Sequence, residues 1–351
     1  MPTRLPTAAR LLLVALACGV SAATSARSPR VDPFVEAVRL AERPVVQTSA
    51  TSGALATDHG LLPPAYGVEG GFEPLPVAAP PVGAVAGWGY DSGPGFGWQL
   101  MPDGLIYRSY LAGPREPRLA LHSFNNRTPI QKSENLWDAT LGGRRGILRY
   151  GDYDPVSPVG WQLDLEGAAI VRLNLDENRD VDASDFRFGV PLTYTAGDGV
   201  AYKFGYYHVS SHLGDELIAR TGVNNRVNYV RDAIILGVSR HVTPDLRVYG
   251  EMAWAFFTAG GAEPWEFQFG AEWSHAGPTG FAGTPFLATN AHLREEVDFG
   301  GDWTLQAGWL WRGDTGSTLR VGLHYMNGQS TQYQFFDRWE EQIGAGLWMD
   351  F

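Results

Sequence analysis

From Arg118 onward the chain is a succession of segments, each about ten residues long, in which apolar and polar residues alternate between turn residues. Residues two apart in an extended strand share a face, so each segment has one apolar side and one polar side. In 264–276, Trp265, Phe267, Phe269, Ala271 and Trp273 fall on one side; Glu266, Gln268, Gly270, Glu272 and Ser274 fall on the other. In 317–327, Leu319, Val321, Leu323 and Tyr325 alternate with Arg320, Gly322, His324 and Met326. The pattern predicts strands near 118–126, 135–151, 160–175, 185–196, 199–211, 226–241, 245–257, 264–276, 285–296, 302–312, 317–327 and 340–351. These are twelve, and an even number returns an antiparallel chain to its starting side, as single-chain bacterial barrels require. Short connections (Ala196–Gly199, Thr243–Asp245, Gly313–Gly316) alternate with longer polar ones (Asp176–Asp185, Ser211–Asn225, Asn327–Glu340).

The rest of the chain narrows where such strands can live. Residues 1–26 read as a secretory signal: Arg4 and Arg10 precede the apolar run Leu11 to Val20, and small residues near Ala23 or Ala26 offer cleavage. The run is too short to anchor the chain, and nowhere do about 18 apolar residues follow one another, so any membrane crossing must be made by strands. Ala15-Leu16-Ala17 is a poor lipobox before Cys18; this single cysteine leaves with the signal, and the mature chain has no disulfide. Residues 27–112, rich in Pro, Gly and Ala, are expected to be flexible with little regular structure, apart from one short extended piece at 105–111; the barrel is expected at 113–351. A net charge of −11 without a basic patch excludes a nucleic-acid partner. With 19% charged residues and 43 Gly, the composition favours strands and tight turns.

A secreted sandwich or soluble barrel would also alternate, with its apolar face inward. The last nine residues, Ile343 to Phe351, form an alternating strand ending on an aromatic residue and resemble the closing strand of outer-membrane β-barrels. The expected fold is therefore an all-β transmembrane antiparallel barrel in the bacterial outer membrane. Outer-membrane lipids would surround it and the barrel-assembly machinery would insert it. A twelve-stranded lumen is narrow, and Lys203, Glu266, Gln268, Glu272, His292, Arg294, Arg320 and His324 should crowd it with both signs of charge. The expected interior is largely filled, with a structural or small-solute role.

At Leu111-Ala112-Gly113-Pro114-Arg115-Glu116-Pro117-Arg118, and again from Tyr207 to Glu216, the chain resembles an uncharacterised family, domain of unknown function 1207, over roughly residues 100–351. The resemblance implies an outer-membrane-like barrel and brings no activity.

One strand carries residues suited to chemistry. In 199–211, Val200, Tyr202, Phe204, Tyr206, His208 and Ser210 share a face, and Lys203 belongs to the opposite, lumenal one. His208 and Ser210 should point outward near the external rim, where polar groups are costly without a partner. A His beside a Ser is the pairing that activates a hydroxyl nucleophile. His-x-Ser with Asn on the next strand resembles outer-membrane phospholipase A, which implies Ser210 as nucleophile, His208 as base, Asn225 as orienting group and a lipid acyl hydrolase. The chain departs from that pattern after Ser210, and Asn224, Asn228 and Asp232 compete for the third role. The alternative is headgroup-level packing without catalysis.

His212, Asp215 and Glu216 are candidates for a metal or ligand site, with calcium as the only cofactor suggested. Asp176 to Asp182 begins like a calcium loop, but Val181 stands where the turn needs Gly and Arg187 where Glu should close it, so an EF-hand is rejected.

Overall fold

The alternation closes on itself. The computed structural model describes residues 95–129, 133–222 and 224–351. Its strands are β1 (Gly97–Leu100), β2 (Leu119–Asn126), β3 (Asn135–Gly151), β4 (Gly160–Asn174), β5 (Asp180–Thr195), β6 (Val200–Leu213), β7 (Val230–His241), β8 (Leu246–Ala259), β9 (Trp265–Trp273), β10 (Thr284–Arg294), β11 (Gly300–Arg312), β12 (Thr318–Gln329) and β13 (Trp339–Asp350); the helix α1 (Asp215–Thr221) follows β6. Strands β2 to β13 pair antiparallel in chain order, and β13 pairs back onto β2, from Met349 opposite Leu119 to Gln342 opposite Asn126. Closure leaves no unpaired strand among β2 to β13. Among the described residues no helix is long and apolar enough to cross a membrane.

The two faces follow the sequence pattern. Tyr202, Phe204, Leu236, Phe269, Leu287 and Leu323 stand exposed on the outside. Lys203, Glu266, Glu272, His292, Arg294, Arg320 and His324 are buried inside, with Gln268 partly so. Many lumenal charges neutralise one another: Arg172 lies between Asp138 (2.7 Å) and Glu340 (2.5 Å), Arg144 meets Asp164 (2.6 Å), Arg187 meets Glu166 (2.9 Å), and Lys203 pairs with Glu251. A buried charge persists only with such partners.

Strand boundaries fall within a few residues of expectation, with two differences at the end of the barrel away from Leu119 and Asp350, the distal end. Strand β5 begins at Asp180, so the connection expected over Asp176–Asp185 shrinks to a short 3₁₀ turn (Leu175–Glu177) and its flanks. Strand β7 begins at Val230, because α1 and an irregular stretch occupy the residues before it.

The larger correction concerns residues 95–112, expected to belong to a flexible region. They are placed, and from Ile106 to Ala112 all but Arg108 are buried. Strand β1 pairs with the 148–151 part of β3, alongside the edge that β2 covers at 135–141. Between β1 and β2 the chain turns into the barrel. Tyr107, Tyr110, Leu111, Arg115, Glu116 and Arg118 are buried there. The Tyr110 hydroxyl donates to Glu251 (2.9 Å), the Leu111 N–H donates to Glu272 (2.9 Å), and the Arg247 guanidinium donates to the carbonyls of Arg108 (3.0 Å) and Ser109 (2.8 Å). Residues 101–118 are thus a plug, and its polar groups find their partners on the lumenal faces of strands distant in sequence. The expected signal (1–26) and the remainder of the expected flexible region, 27–94, lie outside the described residues.

A second segment enters from the distal end. In the β12–β13 connection Gln332, Tyr333, Gln334 and Phe335 are buried. This lid meets the plug at Arg115, whose Nη1 donates to Asp185 (2.5 Å) and to the carbonyl of Thr331 (2.5 Å), and whose guanidinium lies 4.1 Å from the Tyr333 ring centre. Asp185 also accepts from the Tyr333 N–H (3.1 Å) and from the Ser211 hydroxyl. Plug, lid and wall share one carboxylate.

Candidate functional site

Period-2 geometry sends Tyr206, His208, Ser210 and His212 of β6 to the outside, and Tyr207, Val209, Ser211 and Leu213 to the buried lumenal side. On β7 the lumenal set is Arg231, Ala233 and Ile235, which turns Asp232, Ile234 and Leu236 outward. The register places Asp232 directly opposite His208, within reach of a cross-strand contact. His208 Nδ1 and Asp232 Oδ1 are 2.9 Å apart, and the Tyr206 hydroxyl donates to the same oxygen at 2.5 Å. The two side chains are half-buried, 37% exposed for His208 and 20% for Asp232.

Aromatic rings frame the cluster. On β5, Phe188 is opposite His208 and Phe186 is opposite Ser210. On the other side a β-bulge interrupts the β7–β8 ladder between Asp232 and Ala233, and its extra residue puts both Phe256 and Phe257 on the outside. Phe256 stacks on Tyr206 with ring centres 6.2 Å apart. Bulges that re-aim side chains recur beside functional sites. A carboxylate on Nδ1 fixes the imidazole tautomer and orientation and stabilises the imidazolium, leaving Nε2 to exchange a proton with a hydroxyl. Ser210 stands on the same face about 7 Å further along the strand. Among the described residues no hydrogen bond joins Ser210 to His208; such catalytic bonds commonly tighten only on substrate binding.

The structure brings His208 and Ser210 to one outward face and gives the third position to Asp232. Asn225, carried over from the phospholipase pattern, lies exposed in the α1–β7 connection, outside both strands, and no hydrogen bond joins it to His208 among the described residues. The physical reason is register: β7 pairs with β6 only from Val230, opposite Ser210, so the residue facing His208 is two further along. Tyr206 was missed; its signal in the sequence is its place two residues before His208 on the same face.

Asp215 and Glu216 open α1. The Glu216 carboxylate accepts the Val181 N–H (2.5 Å), and among the described residues no three His, Cys, Asp or Glu side chains converge as a metal site. His212 Nδ1 accepts from Arg226 (2.9 Å). The acids of the rejected calcium loop are also engaged: Asp176 accepts from the N–H groups of Glu134 (2.9 Å) and Asn135 (3.1 Å), while Asp180 and Asp182 both bind Arg220 (2.8 Å each).

The family described as a protein of unknown function, DUF1207, matches residues 96–351. No curated protein matches the chain. Among solved structures, the outer membrane phospholipase dimer of Salmonella typhi with bound calcium aligns at 8% identity and a TM-score of 0.45, covering 70% of this chain and 95% of that one. Outer membrane phospholipase A from Escherichia coli aligns at 9% identity and 0.44, covering 67% and 98%. The KdgM porin aligns at 10% identity and 0.35, covering 66% and 97%. These likenesses concern the barrel and nothing finer.

Proposed function

The chain belongs to the DUF1207 family, and we propose that it is a non-conducting barrel of the bacterial outer membrane that hydrolyses lipid acyl esters at Ser210, His208 and Asp232 on its outward face. The supporting observation is the outward carboxylate–imidazole pair, Asp232 Oδ1 to His208 Nδ1 at 2.9 Å, on the same face as the Ser210 hydroxyl. Exposed rings and aliphatic chains on the outside suit a lipid environment, with outer-membrane lipids as partners and the barrel-assembly machinery as the route of insertion. Polar groups on such a surface are expensive, and a carboxylate there calls for a role.

In the reaction, the Ser210 Oγ attacks the ester carbonyl while His208 Nε2 takes the hydroxyl proton. The ester C–O bond then breaks, and His208 returns the proton to the departing alcohol. Water, deprotonated by the same imidazole, attacks the acyl-Ser210 ester, releasing the fatty acid and restoring the hydroxyl. Asp232 holds the imidazole and balances its transient charge. Asp215 and Glu216 gather no third ligand among the described residues, so they do not fit a resident calcium ion and no step is routed through one.

The experiment is fatty-acid release from phospholipid and from lipid A by the purified full-length protein in vesicles, with and without calcium. Ser210→Ala, His208→Ala and Asp232→Ala should each lower kcat by about 10²–10⁴-fold. Full activity in all three variants places the chemistry elsewhere. A wild type inert on every lipid removes the hydrolase reading and leaves the second one, a structural or small-solute barrel, which the internally neutralised lumen favours.

A further inference from the structure

Charge is balanced through most of the lumen but not at the end near Leu119 and Asp350, the proximal end. Six arginines gather there: Arg108 and Arg118 from the plug, and Arg149, Arg247, Arg312 and Arg320 from the ends of β3, β8, β11 and β12. Arg247 pairs with Glu272 (2.7 Å), while Arg118 (3.1 Å) and Arg320 (3.3 Å) share Asp350. Among the described residues Arg108, Arg149 and Arg312 have no carboxylate partner. Arg149 binds the Gln162 amide (2.6 Å) and plug carbonyls, and Arg312 binds the carbonyl of His275 (3.1 Å). Arg108 donates to the carbonyl of Val156 (2.5 Å) and at 3.4 Å to that of Ala276. At the distal end, by contrast, Arg231 lies near both Glu266 (3.3 Å) and Glu296 (3.9 Å).

Beside Arg108 is a cavity of about 260 Å³, lined also by Arg247, Ser239, His241, Ile106 and Thr195. Ser239 is 4% exposed and lines the cavity. A hydroxyl on the cavity wall can donate a hydrogen bond to an oxyanion. Burial, then the repulsion of Arg312 and Arg247, pulls the Arg108 guanidinium down to about 9 against the weaker attraction of Glu272 and Asp154. Because a guanidinium keeps its proton in proteins, that unfavourable field is relieved by an anion. The volume lies just below the range of about 300–1,000 Å³ typical of drug-sized ligands, which suits a compact solute.

We propose that this proximal cavity binds a small solute through a phosphate or carboxylate group held by Arg108, with Arg247 and the Ser239 hydroxyl completing the site. Arginine forks match both oxyanions in a bidentate way. The site is separate from the outward Ser210–His208 cluster, and its fate does not depend on that reading.

The test titrates inorganic phosphate and succinate, by calorimetry, into the full-length protein in phosphatidylcholine nanodiscs. Saturable binding of at least one is expected, weakened about 10–100-fold in Arg108→Gln and less in Ser239→Ala. Arg108→Lys should keep part of the affinity, since it preserves the charge without the fork. Heat-modifiable gel mobility checks that each variant is a folded barrel. As a second readout, phosphate should raise the denaturation midpoint of the wild type and not that of Arg108→Gln. No saturable binding of either anion, or equal binding by Arg108→Gln, overturns the proposal. Binding that appears only when phosphatidylglycerol replaces phosphatidylcholine overturns the soluble solute in favour of a lipid headgroup.

Discussion

Replacing Arg115 with alanine should unlatch the lumen. Arg115 ties the plug to Asp185 on the wall and to Thr331 and Tyr333 on the lid, and the pair is sealed, with side-chain exposures of 6% and 0%. Breaking a buried pair by removing one partner costs about 3–5 kcal/mol. Arg115→Ala belongs at the low end of that range, because Asp185 keeps the Ser211 hydroxyl and the Tyr333 N–H as donors. Asp185→Ala belongs at the high end: two guanidinium nitrogens, Nε and Nη2, are already unpaired, and only the Thr331 carbonyl and the Tyr333 ring would remain. A loss of about 3 kcal/mol shifts the docked-to-undocked ratio of plug and lid by on the order of 10²-fold. Planar-bilayer recording reads this directly: a silent wild type, brief openings in Arg115→Ala and longer ones in Asp185→Ala. Denaturant titration of both single variants and the double variant measures the coupling. The reasoning fails if Arg115→Ala is as silent as the wild type and the coupling is below about 0.5 kcal/mol, the level of independent sites.

Two further outcomes concern the barrel frame. At the β13–β2 seam a Cβ on Gly344 would come within 2.0 Å of the Ser123 carbonyl oxygen and 2.6 Å of the Phe124 Cα, so Gly344→Ala should destabilise by about 1–3 kcal/mol; an unchanged urea midpoint would contradict the close approach. The Asp176 carboxylate is held below its usual range by hydrogen bonds from the Asn135 side chain and from the Asn135 and Glu134 backbone. A depressed carboxylate contributes stability above its unfolded pKa, near ~3.9, and loses it as pH falls through the folded value. The wild type should therefore exceed Asp176→Asn in denaturation midpoint at neutral pH and converge with it on acidification; a gap that widens with acid would reverse the assignment.

Strand positions and the two faces were legible because period-2 alternation is local: each of β2 to β13 carries its own pattern, and Lys203, Glu272 and Arg320 went to the lumen as parity required. The same parity turned His208 and Ser210 outward. Their partner was not legible, since a helical connection and an irregular stretch set which β7 residue stands opposite, and one step of register exchanges the faces. Asp232 was one of four candidates until pairing selected it.

The plug was the least legible part. Its first part, 101–112, has no periodicity, and a Pro- and Gly-rich context reads as flexible when no partner is in view. What orders them is a set of lumenal carboxylates and arginines, Asp185, Arg247, Glu251 and Glu272, contributed by three different strands. The amino-acid order by itself determined that strands would form and which side of each would be polar. Only closure of the barrel decided what those polar sides enclose, because a charge on one strand is neutralised by groups that meet it after the ring is complete.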